Sequence, residues 1–217
     1  MRVSPLVSLV LVGAFSLTAH AVDLRVRVSD GKGKPVADAV ITVSALDAGT
    51  APSAPAPTSR NKFIDQRDEQ FVPYVEIFRP GDRVVFRNSD VTRHHVYSFS
   101  PTKTFEMVLR PGESGAPLLL DRVGIVAVGC NIHDHMRTWL FVSTANHIAV
   151  TGADGVGQFT ALAPGPYRVT SWHPQLRPRQ PTVTTDLTLA HDNMTLPVRL
   201  SLLPDPRTPM DPSRMQY

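Results

Sequence analysis

Cysteine is almost absent: Cys130 is the single cysteine among 217 residues, so no internal disulfide can form and its thiol stays free. Beyond residue 21 no stretch is apolar long enough to cross a bilayer, which leaves no transmembrane segment in the mature chain. Lysines and arginines are scattered and the formal net charge is only +3, so the electrostatic footprint of a nucleic-acid binder is missing. Long helical periodicity is missing too, and there are 20 prolines; both argue for strands and turns over helices. With 42% hydrophobic residues the chain can build packed cores, which excludes a disordered or collagen-like polymer.

What is present starts with Arg2, an apolar run from Leu6 to Leu17 without an acid, and the small-x-small sequence Ala19-His20-Ala21. This pattern reads as a cleavable secretory signal peptide over 1–21, with a mature chain from Val22 in the periplasm. In an oxidising compartment a lone thiol needs a reason.

The strand signals are clear. Val22, Leu24, Val26 and Val28 alternate with Asp23, Arg25 and Arg27, and Met194, Leu196, Val198, Leu200 and Leu202 repeat that period. Shorter runs, Val84-Val85-Phe86, Gly124 to Val128 and Tyr167 to Thr170, lie between turn signals at Pro80-Gly81, Pro111-Gly112 and Asp154-Gly155. The fold class expected is all-β, built from β-sandwiches. The Ala/Pro/Ser/Thr-rich stretch over 51–60 has linker composition, and 204–217, rich in proline, reads as a flexible tail.

Chemistry concentrates in Cys130-Asn131-Ile132-His133-Asp134-His135-Met136, where a thiol, imidazoles and a thioether share one loop between two apolar runs. Upstream, Arg93-His94-His95-Val96 offers another imidazole. Two His, one Cys and a weak axial Met form the donor set of a blue-copper site, soft sulfur favouring Cu(I) and imidazole accepting Cu(II). Zinc accepts the same atoms, and His133 and His135 with Cys130 offer it a second combination. Met136 alone would be ordinary core filler, and His147, His173 and His191, without a soft partner nearby in sequence, read as solvated.

On these residues the chain resembles the cupredoxins. The spacing Cys-x2-His-x2-Met is similar to that of amicyanin in the plastocyanin-like group, and Phe86-Arg87-Asn88 through His94-His95-Val96 resembles that group's segment leading to its first copper His. More closely, the arrangement looks like exported cupredoxin-type proteins called methylamine utilisation proteins. The resemblance implies a Greek-key β-sandwich over 61–146, type 1 copper held by His94, Cys130, His133 and Met136, and single-electron transfer. It also implies a redox partner such as a c-type cytochrome or a membrane-bound dehydrogenase or oxidase, and no enzyme activity.

The chain departs from that pattern at three places. Arg93 stands for a Pro, His95 for the Asn whose side chain ties the two copper loops, and Asp134-His135 is more polar than the family's loop. Adjacent strand residues face opposite ways, so the gap-free match from Asn88 makes His94 the ligand and a slip of one residue makes it His95. In the first register the His95 ring is expected to hold the neighbouring loop in place of the Asn amide.

Residues 26–43 resemble the opening hairpin of carboxypeptidase regulatory-like, transthyretin-like sandwiches, whose later half matches Asp154-Gly155 and Leu162-Ala163-Pro164-Gly165-Pro166-Tyr167. A cupredoxin inserted into a second, discontinuous β-sandwich, 22–50 plus 147–203, is therefore expected. Two functions follow: a periplasmic electron carrier, or a structural or interaction module in which copper or zinc does not cycle.

Overall fold

The computed structural model describes residues 21–47, 59–177, 182–190 and 192–207. Residues 1–20 of the expected signal peptide, 51–58 of the expected linker and the tail from 208 lie outside the described residues. Among those described, every helix or strand assigned is a strand, numbered β1 to β16 in chain order, and no helix is long and apolar enough to cross a membrane.

The alternating sequence of β1 (Val22–Ser29) buries Val22, Leu24, Val26 and Val28 and turns Arg25 and Arg27 outward. It is the middle strand of a three-stranded sheet, antiparallel to β13 (Val156–Leu162) and parallel to β16 (Met194–Arg199). A four-stranded sheet runs in the order β12 (His147–Val150), β2 (Val40–Ala45), β14 (Gly165–Trp172), β15 (Val183–Leu189). Leu24, Ile41, Val43, Phe159, Val169 and Leu200 share one core cluster contributed by both sheets.

The hairpin expected over 26–43 closes only at its turn, where Ser29 bridges Pro35, and does not continue into paired strands. Both edges of β1 are taken by β13 and β16, so β2 cannot pair with it and joins the other sheet. The Asp30 carboxylate accepts the Lys32 and Lys34 N–H groups to make the turn, after which buried Val36 and Ala39 carry the chain across the core. Gly155 explains the Asp154-Gly155 signal. Its φ is +68°, and a Cβ there would stand 2.5 Å from the Val28 carbonyl oxygen.

Residues 61–142 make the other two sheets. One has the order β4 (Gln70–Val72), β3 (Asn61–Arg67), β6 (Asp82–Asn88), β9 (Leu118–Leu120). The other has the order β5 (Val75–Phe78), β11 (Arg137–Val142), β10 (Gly124–Cys130), β7 (His94–Ser100), β8 (Lys103–Leu109). Their core cluster includes Ile64, Phe78, Phe86, Val96, Val126 and Leu140. Strand parity does the positioning: β7 buries His94, Val96 and Ser98, and β10 buries Val126, Val128 and Cys130.

The chain enters and leaves these two sheets side by side. Buried Asp82 accepts the N–H groups of Arg60 and Arg79, and the Arg79 guanidinium donates to the carbonyls of Ser143 and Ala145. β3 and β6 run in parallel away from this end, so Asn88 and the ligand loops lie at the opposite one. A third cluster joins the halves, with Trp172 packed 5.8 Å from Trp139 and 5.4 Å from Phe141, ring centre to ring centre. Arg207, from the segment expected to be a flexible tail, is held instead: it lies 3.6 Å over the Tyr74 ring and pairs with Asp38 and Asp205.

Candidate metal centre

His94 opens β7 with no exposed surface, and Cys130 closes β10 with its thiol buried. The strands are antiparallel neighbours, with Cys130 opposite Val96, so both side chains reach the same end of the core. The loop after Cys130 folds back on itself. The Met136 N–H donates to the His133 carbonyl (3.0 Å) and the Cys130 N–H to the Met136 carbonyl (3.3 Å). That closure lays His133 over the thiol and sends Met136, fully buried, into the apolar cluster that also contains Cys130.

Cys130 Sγ lies 3.7 Å from His94 Nδ1 and 3.9 Å from His133 Nδ1. One ligand atom from each of the three residues falls within 4.8 Å of the others. A metal bound at about 2.3 Å from sulfur and about 2.0–2.1 Å from nitrogen, with trigonal angles, would set these atoms about 3.8 Å apart. The two sulfur–nitrogen distances therefore fit a metal ion held by all three residues. Each imidazole turns its other nitrogen to a carboxylate. His94 Nε2 is 2.7 Å from Asp90 Oδ2 and His133 Nε2 is 3.5 Å from Glu69 Oε1. A proton held on Nε2 leaves the Nδ1 lone pair free to ligate.

Of the predicted ligands, His94, Cys130 and His133 are brought together, and Met136 is buried in the cluster beside them. Of the two adjacent histidines, His94 is the one whose ring reaches the cluster. His95 faces away, 3.7 Å from Glu106 on β8. Its ring does not tie the loops, as expected of it; the tie is its backbone carbonyl, which accepts the Asn131 N–H at 3.0 Å. His135 is exposed and outside the donor cluster, so the combination of Cys130, His133 and His135 is not the one assembled.

Two acidic residues escaped the sequence: Glu69, at a hairpin tip remote in sequence, and Asp90, whose only cue was its place four residues before His94. His173, expected to be solvated, is 3% exposed, with Nε2 3.1 Å from the Ala37 carbonyl and Nδ1 accepting the Gln175 N–H. His147 is half-buried and His191 lies outside the described residues.

No protein-family model and no curated protein matches this chain. Among solved structures it is similar to a purple cupredoxin from Nitrosopumilus maritimus, with 18% identity over 37% of this chain and 98% of the other, at a TM-score of 0.34. Amicyanin from Paracoccus versutus aligns at 13% identity over 47% of this chain and 98% of its own, with a TM-score of 0.35. A copper-containing nitrite reductase from Thermus scotoductus aligns at 21% identity over 46% of this chain but only 25% of its own, at a TM-score of 0.34. Among the described residues the fold is all-β and multi-sheet, and it carries a His/Cys/His cluster able to hold a metal ion.

Proposed function

We propose that this protein is an exported type 1 copper protein that passes single electrons between redox partners, with copper held by His94, Cys130, His133 and Met136. The observation that carries this reading is the convergence of two imidazole Nδ1 atoms on one buried thiol. Bound copper would supply a one-electron Cu(I)/Cu(II) couple, softened toward Cu(I) by sulfur. The chain's own residues do the rest. Strand ends and the closed loop fix the donors in advance, so little needs to move when an electron comes or goes. Cys130 must be deprotonated to ligate, and the apolar cluster around it and Met136 keeps water from the sulfur.

A buried site whose donors are all protein atoms favours a carrier over an enzyme, since catalytic metal sites keep a position open. The expected signal peptide supports a periplasmic location, where a c-type cytochrome or a membrane-bound dehydrogenase or oxidase would serve as partner. The adjoining chain crossings at Asp82 and Arg79 support a cupredoxin domain, 61–146, inserted into a carboxypeptidase regulatory-like sandwich of 22–50 plus 147–203. The thioether of Met136, buried in the same cluster as Cys130, favours this over a structural zinc site, because zinc needs no soft axial donor. A redox titration of the copper-loaded protein is the test. Reversible uptake of one electron per chain supports the carrier; a colourless protein that holds zinc or copper without cycling supports the structural module.

A further inference from the structure

The Asp90 carboxylate takes three groups beside the His/Cys/His cluster. Its side chain is only 10% exposed. Oδ2 takes His94 Nε2 at 2.7 Å and the Glu69 N–H at 3.2 Å, and Oδ1 takes the Asp68 N–H at 2.6 Å. Asp90 is itself anchored: its N–H donates to Oδ1 of buried Asn88, whose amide donates to the Thr92 and Leu109 carbonyls.

Asp68 and Glu69 are the two central residues of the turn joining β3 to β4, with φ of +54° and +52°. Such a turn is normally built from Asn-Gly or Asp-Gly, because residues with a Cβ resist positive φ. Here Asp68 suits its place but Glu69 stands where glycine is expected, and both of their N–H groups are capped by Asp90. The effect is to point Glu69 at His133, 3.5 Å from its Nε2.

We infer that Asp90 is a positioning residue that orients both imidazoles of the metal centre, His94 directly and His133 through the Asp68-Glu69 turn. It takes over the loop-tying task that position 95 does not perform with its side chain. The inference rests on the metal-centre reading above. Carboxylates on the outer nitrogens raise the basicity of ligating imidazoles, so the clamp favours a divalent ion.

Zinc(II) and copper(II) affinities of the full mature chain, measured by competition with chromophoric chelators, test it. Asp90→Ala should weaken both metals by about ten- to a hundredfold. Glu69→Gln should lose about three- to tenfold, its side chain being half exposed. The double variant should match Asp90→Ala alone, because without Asp90 the turn no longer presents residue 69. In the copper protein the potential should rise in Asp90→Ala by about 59 mV for each tenfold by which Cu(II) binding suffers more than Cu(I) binding.

Unchanged affinity in Asp90→Ala overturns the clamp, and so do losses that multiply in the double variant, as for independent sites. Asp90→Asn gives a second route if the alanine variant folds poorly. Its one acceptor oxygen can still take the Asp68 N–H, while the amide NH2 in the place of Oδ2 can accept from neither the Glu69 N–H nor Nε2–H, so a lowered melting temperature without any loss of affinity would mark a merely structural role and overturn the proposal. A wild-type chain that binds neither metal would overturn the metal-centre reading itself.

Discussion

His94 and His173 are both buried imidazoles, one in each half of the molecule, and the fold treats them in opposite ways. His173 is satisfied on both nitrogens by backbone groups, the Ala37 carbonyl and the Gln175 N–H. Burial pushes its pKa down, a shift the Ala37 bond only partly opposes. His94 gives one nitrogen to Asp90 and leaves the other facing sulfur. Burial of a histidine is therefore not the mark of a metal site; a nitrogen left over, turned toward a soft donor, is. The same contrast runs through the cores. One half packs around Leu24, Ile41 and Phe159, and the other carries Cys130 and Met136 into its apolar cluster.

The largest effect that would sharpen this contrast is at the thiol. Cys130→Ser should abolish any copper–thiolate colour and most of the copper affinity while circular dichroism stays that of a β protein, because sulfur supplies the charge-transfer donor. His94→Ala should open a coordination position that added imidazole refills, restoring the spectrum. His173→Ala should leave the spectrum alone and cost about 2–4 kcal/mol of stability in chemical denaturation, two buried backbone groups having lost their partners. A spectrum lost in the His173 variant would break the contrast. His95→Ala, with its ring on the outer face, should leave both colour and affinity in place. Met136→Leu should keep the colour and raise the potential, since losing a weak axial donor disfavours Cu(II) more than Cu(I); a potential that falls would remove Met136 from the site.

The smallest effect is a pH dependence. His173 has a folded pKa below its ordinary 6.5, so below that value the unfolded chain binds more protons than the folded one. Its contribution to stability is full above 6.5 and is lost as pH falls toward the lowered folded value. Unfolding free energies of the metal-free wild type and His173→Gln should therefore diverge in slope just below that pH and run parallel above it.

Much of this was legible in the sequence because it rests on short-range periodicity. The alternation from Val22 to Val28 became β1; strand parity said that only one of His94 and His95 could face inward, and the gap-free match from Asn88 picked His94, the one the fold buries. The Cys-to-Met spacing was legible because the loop closes on itself through backbone bonds. What was not legible depends on pairing across long separations. Nothing local in residues 22–50 shows that both edges of β1 are claimed by strands more than a hundred residues later. Glu69 is likewise invisible as a neighbour of His133, because its position depends on a positive-φ turn held by a carboxylate on another loop. His173 looked like a surface residue because only the folded chain brings the Ala37 carbonyl to it.

The central claim is that Cys130, with two imidazoles turned toward it, holds copper as a thiolate. The most direct measurement is the visible absorption spectrum during titration of the reduced, metal-free mature protein with copper(II). An intense thiolate-to-copper band that saturates at one equivalent and is missing from Cys130→Ser is the predicted result. A copper complex without that band, or a band that survives in Cys130→Ser, would contradict it.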